Sequence, residues 1–293
     1  MLRFVGGPLT LPRAVAISFG ILAIGVGVGG CEGETLGLGS LDDPTGGTSG
    51  EPPADADGGG VGGLAGQGGG SGCTPPAPSA HFDFAGTGTS VPDLRGGPAA
   101  AILGGATLDG AGALFLDGVD DYVALAATPW TGSRVTLALW LRYRGLAAYQ
   151  RLLDFGSNTE LDPVAGTIGT SYLALTPTTG YFPTGLAVLL SNSGSANEVA
   201  AVTDTVLSTD DEFLVVVVDE QSLASFRAGA LLTRVPHAVD VGQLAPVNRW
   251  LGRSQYEQDP YAEVTYLDFR VYDDALEDCQ IAALYAQGLP ASP

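Results

Sequence analysis

The sequence predicts an all-β fold, a two-sheet antiparallel sandwich with one short C-terminal helix, preceded by a signal peptide and a disordered linker. Three observations carry this expectation. After His81 the chain breaks into short runs of alternating apolar and polar residues, each ended by Gly, Pro, Asp or Asn, the pattern of many antiparallel strands. Between the N-terminus and those runs lies a long stretch with almost no aromatic or large aliphatic residue, which cannot bury a core. A single capped helical pattern follows the last strand-like run.

Residues 1–30 read as an export signal: Arg3 and Arg13 accompany an apolar run from Ala14 to Val28, with no acid among them. At about 15 residues the run is shorter than the ~20 a membrane-crossing helix needs. Val28-Gly29-Gly30-Cys31 resembles a bacterial lipobox, in which Cys31 becomes the lipidated N-terminus. An uncleaved apolar anchor and an ordinary secretory signal are the alternatives. Residues 31–79 follow as a Gly-, Pro- and Asp-rich tether, for example Asp57-Gly58-Gly59-Gly60, whose composition suits a flexible spacer. The sandwich is expected over residues 80–290.

Within it, candidate strands are His81 to Phe84, Ala113 to Leu116, Tyr122 to Leu125, Arg134 to Tyr143, Arg151 to Phe155, Tyr172 to Thr176, Gly185 to Leu190, Phe213 to Asp219 and Val264 to Tyr272. In the longest early run Val135, Leu137, Leu139 and Leu141 point one way and Thr136, Ala138 and Trp140 the other. Both faces are largely apolar, so this strand belongs between layers or under a covering element. Asp274-Ala275-Leu276-Glu277 reads as a capping box opening the helix, which Gly288 ends.

The charge balance is acidic. Twelve basic residues, all arginine, stand against 32 Asp and Glu for a formal charge of -20, which argues against nucleic acid as a partner. With Cys31 lipidated, Cys73 and Cys279 remain, and an even pair bracketing one domain in an oxidising compartment suits a disulfide; two unpaired thiols are the alternative.

Six segments, in order, resemble the laminin-G-like jelly rolls of bacterial secreted proteins, of the concanavalin A-like lectin and glucanase type. They are Phe82-Asp83-Phe84; Leu116-Asp117-Gly118-Val119-Asp120-Asp121-Tyr122-Val123; Thr136 to Leu141; Gln150 to Gly156; the loop Asn248-Arg249-Trp250-Leu251-Gly252-Arg253-Ser254-Gln255-Tyr256-Glu257-Gln258-Asp259-Pro260-Tyr261; and Asp268-Phe269-Arg270-Val271-Tyr272 through Leu276. The resemblance implies a jelly-roll topology and a surface module that recognises carbohydrate. It also points to Asp83 and Asp268 as ligands for calcium, whose hard oxygen ligands are abundant at these turns. Leu267 departs from the family by standing where it usually carries the first of two aspartates. Asp117, Asp120 and Asp121 form a second acidic group, which also reads as a plain hairpin turn.

For a sugar, an exposed aromatic face with a few polar groups is needed, and Trp130, Tyr149, Tyr256 and Tyr261 fall in expected loops, while Trp140 and Trp250 read as core. Arg253, Gln255, Tyr256, Asp259 and Tyr261 are the candidate ligand-binding set, with a fold-defining clasp as the competing account of the same loop. No paired-carboxylate strand motif, nucleophile elbow or phosphate loop occurs; Glu160-Leu161-Asp162 is the nearest acid pair and Pro163 follows it. His81 and His237 have no metal-ligand spacing. The expectation is therefore a lipid-anchored, exported binding module of the outer membrane or cell surface and not an enzyme. A non-lectin protein-contact or structural envelope role comes next, and a glycan-active enzyme third.

Overall fold

The computed structural model describes residues 73–157, 171–180 and 184–289. The expected signal peptide, Cys31, nearly all of the tether and Glu160-Leu161-Asp162 lie outside the described residues. Short strands come first: β1 (Ala80–Phe82), β2 (Ser90–Val91), β3 (Ala100–Leu103), β4 (Thr107–Leu108), β5 (Leu114–Asp117) and β6 (Tyr122–Ala124). The long β7 (Val135–Tyr143) is followed by β8 (Leu153–Gly156), β9 (Tyr172–Thr176), β10 (Ala187–Ser191) and β11 (Val199–Val202). Then come β12 (Glu212–Val218), β13 (Ser222–Arg227), β14 (Ala230–Pro236), β15 (Asn248–Leu251), β16 (Glu263–Tyr272) and the helix α1 (Asp278–Gln287).

These strands form two antiparallel sheets. The first runs β14-β13-β12-β7-β16-β5-β4; β16 is long enough to pair with β5 through residues 263–266 and with β1 through residues 269–271. The second runs β11-β10-β9-β8-β15-β6-β3-β2. Consecutive strands often fall in different sheets, so each sheet is assembled from distant parts of the chain. The main core fills the space between: Leu137, Leu139 and Leu141 of β7 and Tyr266 and Phe269 of β16 face Phe155 of β8, Leu173 and Leu175 of β9 and Val188 and Leu190 of β10.

The two apolar faces of β7 are both used. Ala138 and Trp140 point away from the main core into a second cluster with Phe213, Tyr272, Leu276, Ile281 and Leu284, where α1 covers the outer face of the first sheet. Trp140 stacks on Tyr285 of the helix with centroids 5.8 Å apart. Between Tyr266 and Asp268 the register of β16 shifts, a bulge that lets Leu267 turn outward into this cluster. The position where a family aspartate was expected is thus an apolar packing site.

The helix begins later than the sequence suggested. Glu277, not Asp274, is the N-cap, and it forms the capping box with Gln280. Thr136 explains the delay: its hydroxyl donates to the Asp274 carbonyl and accepts the Leu276 amide, both at 2.9 Å, tying the chain ahead of the helix to β7. Gly288 ends the helix with a φ of 70°, as expected.

Cys73 and Cys279 are disulfide-bonded, their Cα atoms 5.2 Å apart across 206 residues of sequence. The bond ties the segment before β1 to the first turn of α1. Among the described residues no helix is long and apolar enough to cross a membrane.

Candidate functional site

Because side chains alternate along a strand, the second sheet has an outer face as well as a core face. On that outer face lies a cleft of about 470 Å³, lined among others by Tyr149, Arg151, Glu198, Tyr256 and Asp259, with Thr176 and Leu189 contributed by β9 and β10. Arg151 arrives just before β8, fixed by the Leu152 amide donating to the Leu175 carbonyl at 2.8 Å. Its side chain is only 5% exposed. Nη2 lies 3.4 Å from a carboxylate oxygen of Asp259, and Nε lies 3.7 Å from one of Asp154. The guanidinium also stands over the Tyr256 ring, 5.9 Å from its centre. Nη1 has no hydrogen-bond partner among the described residues.

Three carboxyl groups surround this one cation. Asp154, fully buried on β8, accepts the Gln255 backbone amide at 3.0 Å and the Gln255 side-chain amide at 2.7 Å. Burial pushes its carboxyl up to about 6 against the opposing pull of Arg151 and Gln255. Burial likewise raises Asp259, which takes a hydrogen bond from the Ser254 hydroxyl at 2.7 Å, and Glu198, which accepts from the Tyr172 hydroxyl at 2.5 Å. Shifted acids gathered beside an aromatic cleft are a feature of binding and catalytic sites.

Tyr149 adds an exposed ring at the rim, and its backbone has a φ of 66°, rare for a residue with a side chain. Its amide donates to the Thr178 carbonyl at 3.0 Å, and its ring lies against Gly180, where an added Cβ would come within 2.3 Å of the hydroxyl. Glycine at 180 is therefore what admits the tyrosine to this position.

The five residues expected to bind ligand divide into three groups. Tyr256 and Asp259 line the cleft. Gln255, 1% exposed, is consumed in holding Asp154. Arg253 and Tyr261 belong to a separate cage: the Arg253 guanidinium sits 4.3 Å from the Trp250 ring centre, 4.7 Å from Tyr122 and 5.6 Å from Tyr261. This part of the loop thus acts as a clasp joining β15 and β6. Of the expected platform aromatics, Trp130 is core, 5% exposed and tilted against Phe155 at 5.5 Å, whereas Tyr149 and Tyr256 reach the cleft.

The sequence matches the laminin-G-type model of the concanavalin A-like lectin/glucanases superfamily over residues 117–282. The chain belongs to this superfamily. Similar solved folds include domain 4 of AbnA, a GH43 extracellular arabinanase from Geobacillus stearothermophilus, in complex with arabinotriose: 17% identity, 71% of this chain and 98% of that one, TM-score 0.51. Another is the sialidase of Trypanosoma rangeli, at 16% identity over 70% of this chain and 32% of that one, TM-score 0.53. A third is the binding domain of botulinum neurotoxin DC in complex with rat synaptotagmin II, at 12% identity over 71% and 51%, TM-score 0.55. No curated protein matches the sequence. At these identities the structural likenesses show the fold alone. The concanavalin A-like superfamily takes in both lectins and glucanases.

In this concanavalin A-like domain the acids considered for calcium are engaged by the protein. Asp268, 1% exposed, has His81 Nε2 at 2.7 Å from one oxygen and Arg270 Nε at 2.7 Å from the other. The Asp83 carboxylate accepts its own turn's amide, from Ala85, at 3.1 Å. A dication would have to displace Arg270, so the residues around Asp268 fit an ion-pair network better than calcium. Asp117, Asp120 and Asp121 do gather within 4.8 Å of one another. Two of the three carboxylates hold the turn: Asp121 accepts the amides of Gly105 and Asp117, and Asp117 accepts that of Val119 at 2.8 Å.

Removing the Asp268 carboxylate strands Arg270 in a poorly hydrated site, so Asp268→Ala is expected to lower the unfolding free energy by about 3 kcal/mol. Urea unfolding by tryptophan fluorescence reads this, and a loss under about 1 kcal/mol would show the pair to be dispensable.

Arg151, Asp154 and Glu198 lie outside the site residues expected from sequence. A charged pair, Arg151 and Asp154, inside an otherwise apolar strand run was the available signal. Glu198, after a short turn before β11, offered none.

Proposed function

We propose that this chain is an exported carbohydrate-binding module that holds a glycan in the cleft on the outer face of its second sheet. The observation that carries this reading is the combination, in one cleft, of two tyrosine rings with a buried arginine and neighbouring carboxyls. Tyrosine faces suit the C–H faces of sugar rings, and fixed charged groups suit hydroxyls. Binding is favoured over hydrolysis because two of the carboxyls are already committed: Asp154 lies beneath Gln255, and Asp259 is held by Arg151 and Ser254. The disulfide suits an oxidising compartment. Export with lipidation at Cys31 completes the proposal and accords with the short apolar run that precedes that cysteine.

A glycan array read with calcium and then with chelator is the test. Binding by the folded chain that Tyr256→Ala weakens at least about tenfold, or about 1.4 kcal/mol, is the expected result. Chelator-sensitive binding would bring calcium into the site; hydrolysis of a polysaccharide would replace the binding reading with a catalytic one. A protein-contact role is the second reading, favoured by Leu146 and Val206, which are 96% and 76% exposed beside a smaller groove.

A further inference from the structure

We infer that the cleft selects neutral glycans that present adjacent hydroxyls, and rejects uronic, sialic and sulfated ones, because acids outnumber the one cation, the Arg151 guanidinium, among its described lining residues. This deepens the sugar-binding reading and rests on it. The starting point is the guanidinium itself. Arg151 is 95% buried by side chain, yet Nη1 donates to nothing among the described residues. A guanidinium held this deep keeps hydrogen-bonding capacity that the protein does not use, and its cleft-facing edge favours an oxygen acceptor.

Either a hydroxyl or an anionic oxygen would suit the guanidinium, and the surroundings decide between them. Asp259 lies 3.4 Å from Nη2, Asp154 lies 3.7 Å from Nε, and Glu198 lines the same cleft. Among the described residues lining it, Arg151 is the one that is basic. An entering carboxylate or sulfate would gain one cation while meeting up to three like charges in a partly dry site, where repulsion is poorly screened. A hydroxyl meets no such opposition, since it can accept from the guanidinium edge that lines the cleft and donate its own proton to a carboxylate oxygen. An adjacent hydroxyl can repeat the exchange with the next acid. Protonation of Glu198 or Asp259, both raised by burial, would leave the hydroxyl an acceptor and would not turn the cleft basic. Tyr149 and Tyr256 then supply ring faces for the apolar side of the sugar. The volume, about 470 Å³, lies within the usual span of small-ligand sites and suits a short stretch of glycan rather than a single small anion.

The test uses the full chain against matched pairs of polysaccharides, one neutral and one bearing uronate or sulfate on a like backbone, at fixed ionic strength. Neutral members should bind at least about tenfold more tightly than their acidic counterparts, a gap of about 1.4 kcal/mol. Arg151→Met should abolish binding. Since that change also disturbs packing, two gentler variants accompany it. Tyr149→Ala, at the exposed rim, should weaken neutral binding about tenfold. Glu198→Gln keeps an acceptor for Tyr172 but removes a charge, so it should narrow the neutral-to-acidic gap about threefold or more, an effect that loss of fold would not produce. Preference for uronate or sulfate would overturn this inference while leaving sugar binding intact. Neutral binding indifferent to Tyr149→Ala and Glu198→Gln would overturn it by moving the site elsewhere. A blank array from a chain shown to be folded would remove both this inference and the function it rests on.

Discussion

Replacing Cys73 and Cys279 together with serine is expected to lower the unfolding free energy by about 4–5 kcal/mol, the largest single effect the disulfide framework allows. The reasoning concerns the unfolded chain. A bond closing 206 residues removes a large share of the conformations available to that chain, and the loss grows with the logarithm of the loop. On the folded side, the bond joins two elements with modest contacts of their own. β1 pairs through only three positions with β16, and α1 rests on the outer cluster through Ile281 and Leu284, with Leu276 just ahead of it. Urea unfolding of both proteins, with the oxidised and reduced parent as controls, separates the effects. The serine variant and the reduced parent should agree, and both should show a steeper urea dependence because their unfolded chains expose more surface. A difference below about 1 kcal/mol would mean that the unfolded chain stays compact without the bond.

The second large effect is electrostatic and carries a pH signature. Arg151→Met is expected to destabilise the domain by about 3–5 kcal/mol near pH 8, because it leaves Asp154 buried without its cation. Asp154 binds its proton more tightly folded, at about 6, than in an unfolded chain near its ordinary 3.8. Ionisation of this group therefore takes stability away as pH rises from about 4 to about 6, and its contribution is most favourable below that window. Without Arg151 the carboxyl resists ionisation further, so the window extends upward and the variant's deficit should grow from pH 5 to pH 8. Asp219 and Asp273 act in the opposite sense: hydrogen bonds to Ser222 and to Thr131 hold them below the ordinary value, and they withdraw stability as pH falls through their folded values. Unfolding curves for parent and variant at three pH values check the sign. A deficit independent of pH would show that lost packing, not the stranded carboxyl, is responsible.

Much of the architecture was legible because strand periodicity is a local property. Val135 to Leu141 alternates cleanly, and both of its faces proved to be covered, one by the opposite sheet and one by α1. The hairpin between β13 and β14 was harder to read as a pair of strands. Its turn places Ala228 and Gly229 at φ values of 50° and 78°, and an alanine at the first position hides the Asn-Gly or Asp-Gly signature such turns usually carry. The helix starts later than its sequence pattern implies because Asp274 and Glu277 both have capping chemistry, and the deciding contact comes from Thr136 on a distant strand.

The candidate site was legible in part, and the limit is topological. Tyr256 and Asp259 lie on one conspicuous loop, whereas Arg151 precedes β8 and Glu198 precedes β11. Nothing in local spacing tells which charged residues a two-sheet fold will bring to one face. Gln255, too, looked like a ligand contact by composition; only burial shows that its amide is committed to Asp154.

The disulfide also determines how the domain carries a pull. Tension applied to the chain ahead of Cys73 meets a fork: one branch runs along the backbone into β1, the other crosses the sulfur bond into α1. Peeling β1 from β16, strand by strand like a zipper, is thus shared with a helix anchored over the opposite end of the sequence. The cleft lies on the outer face of the other sheet, so a load passed between the chain's entry point and anything the cleft were to hold would traverse the sandwich from one face to the other instead of unravelling it from its first strand.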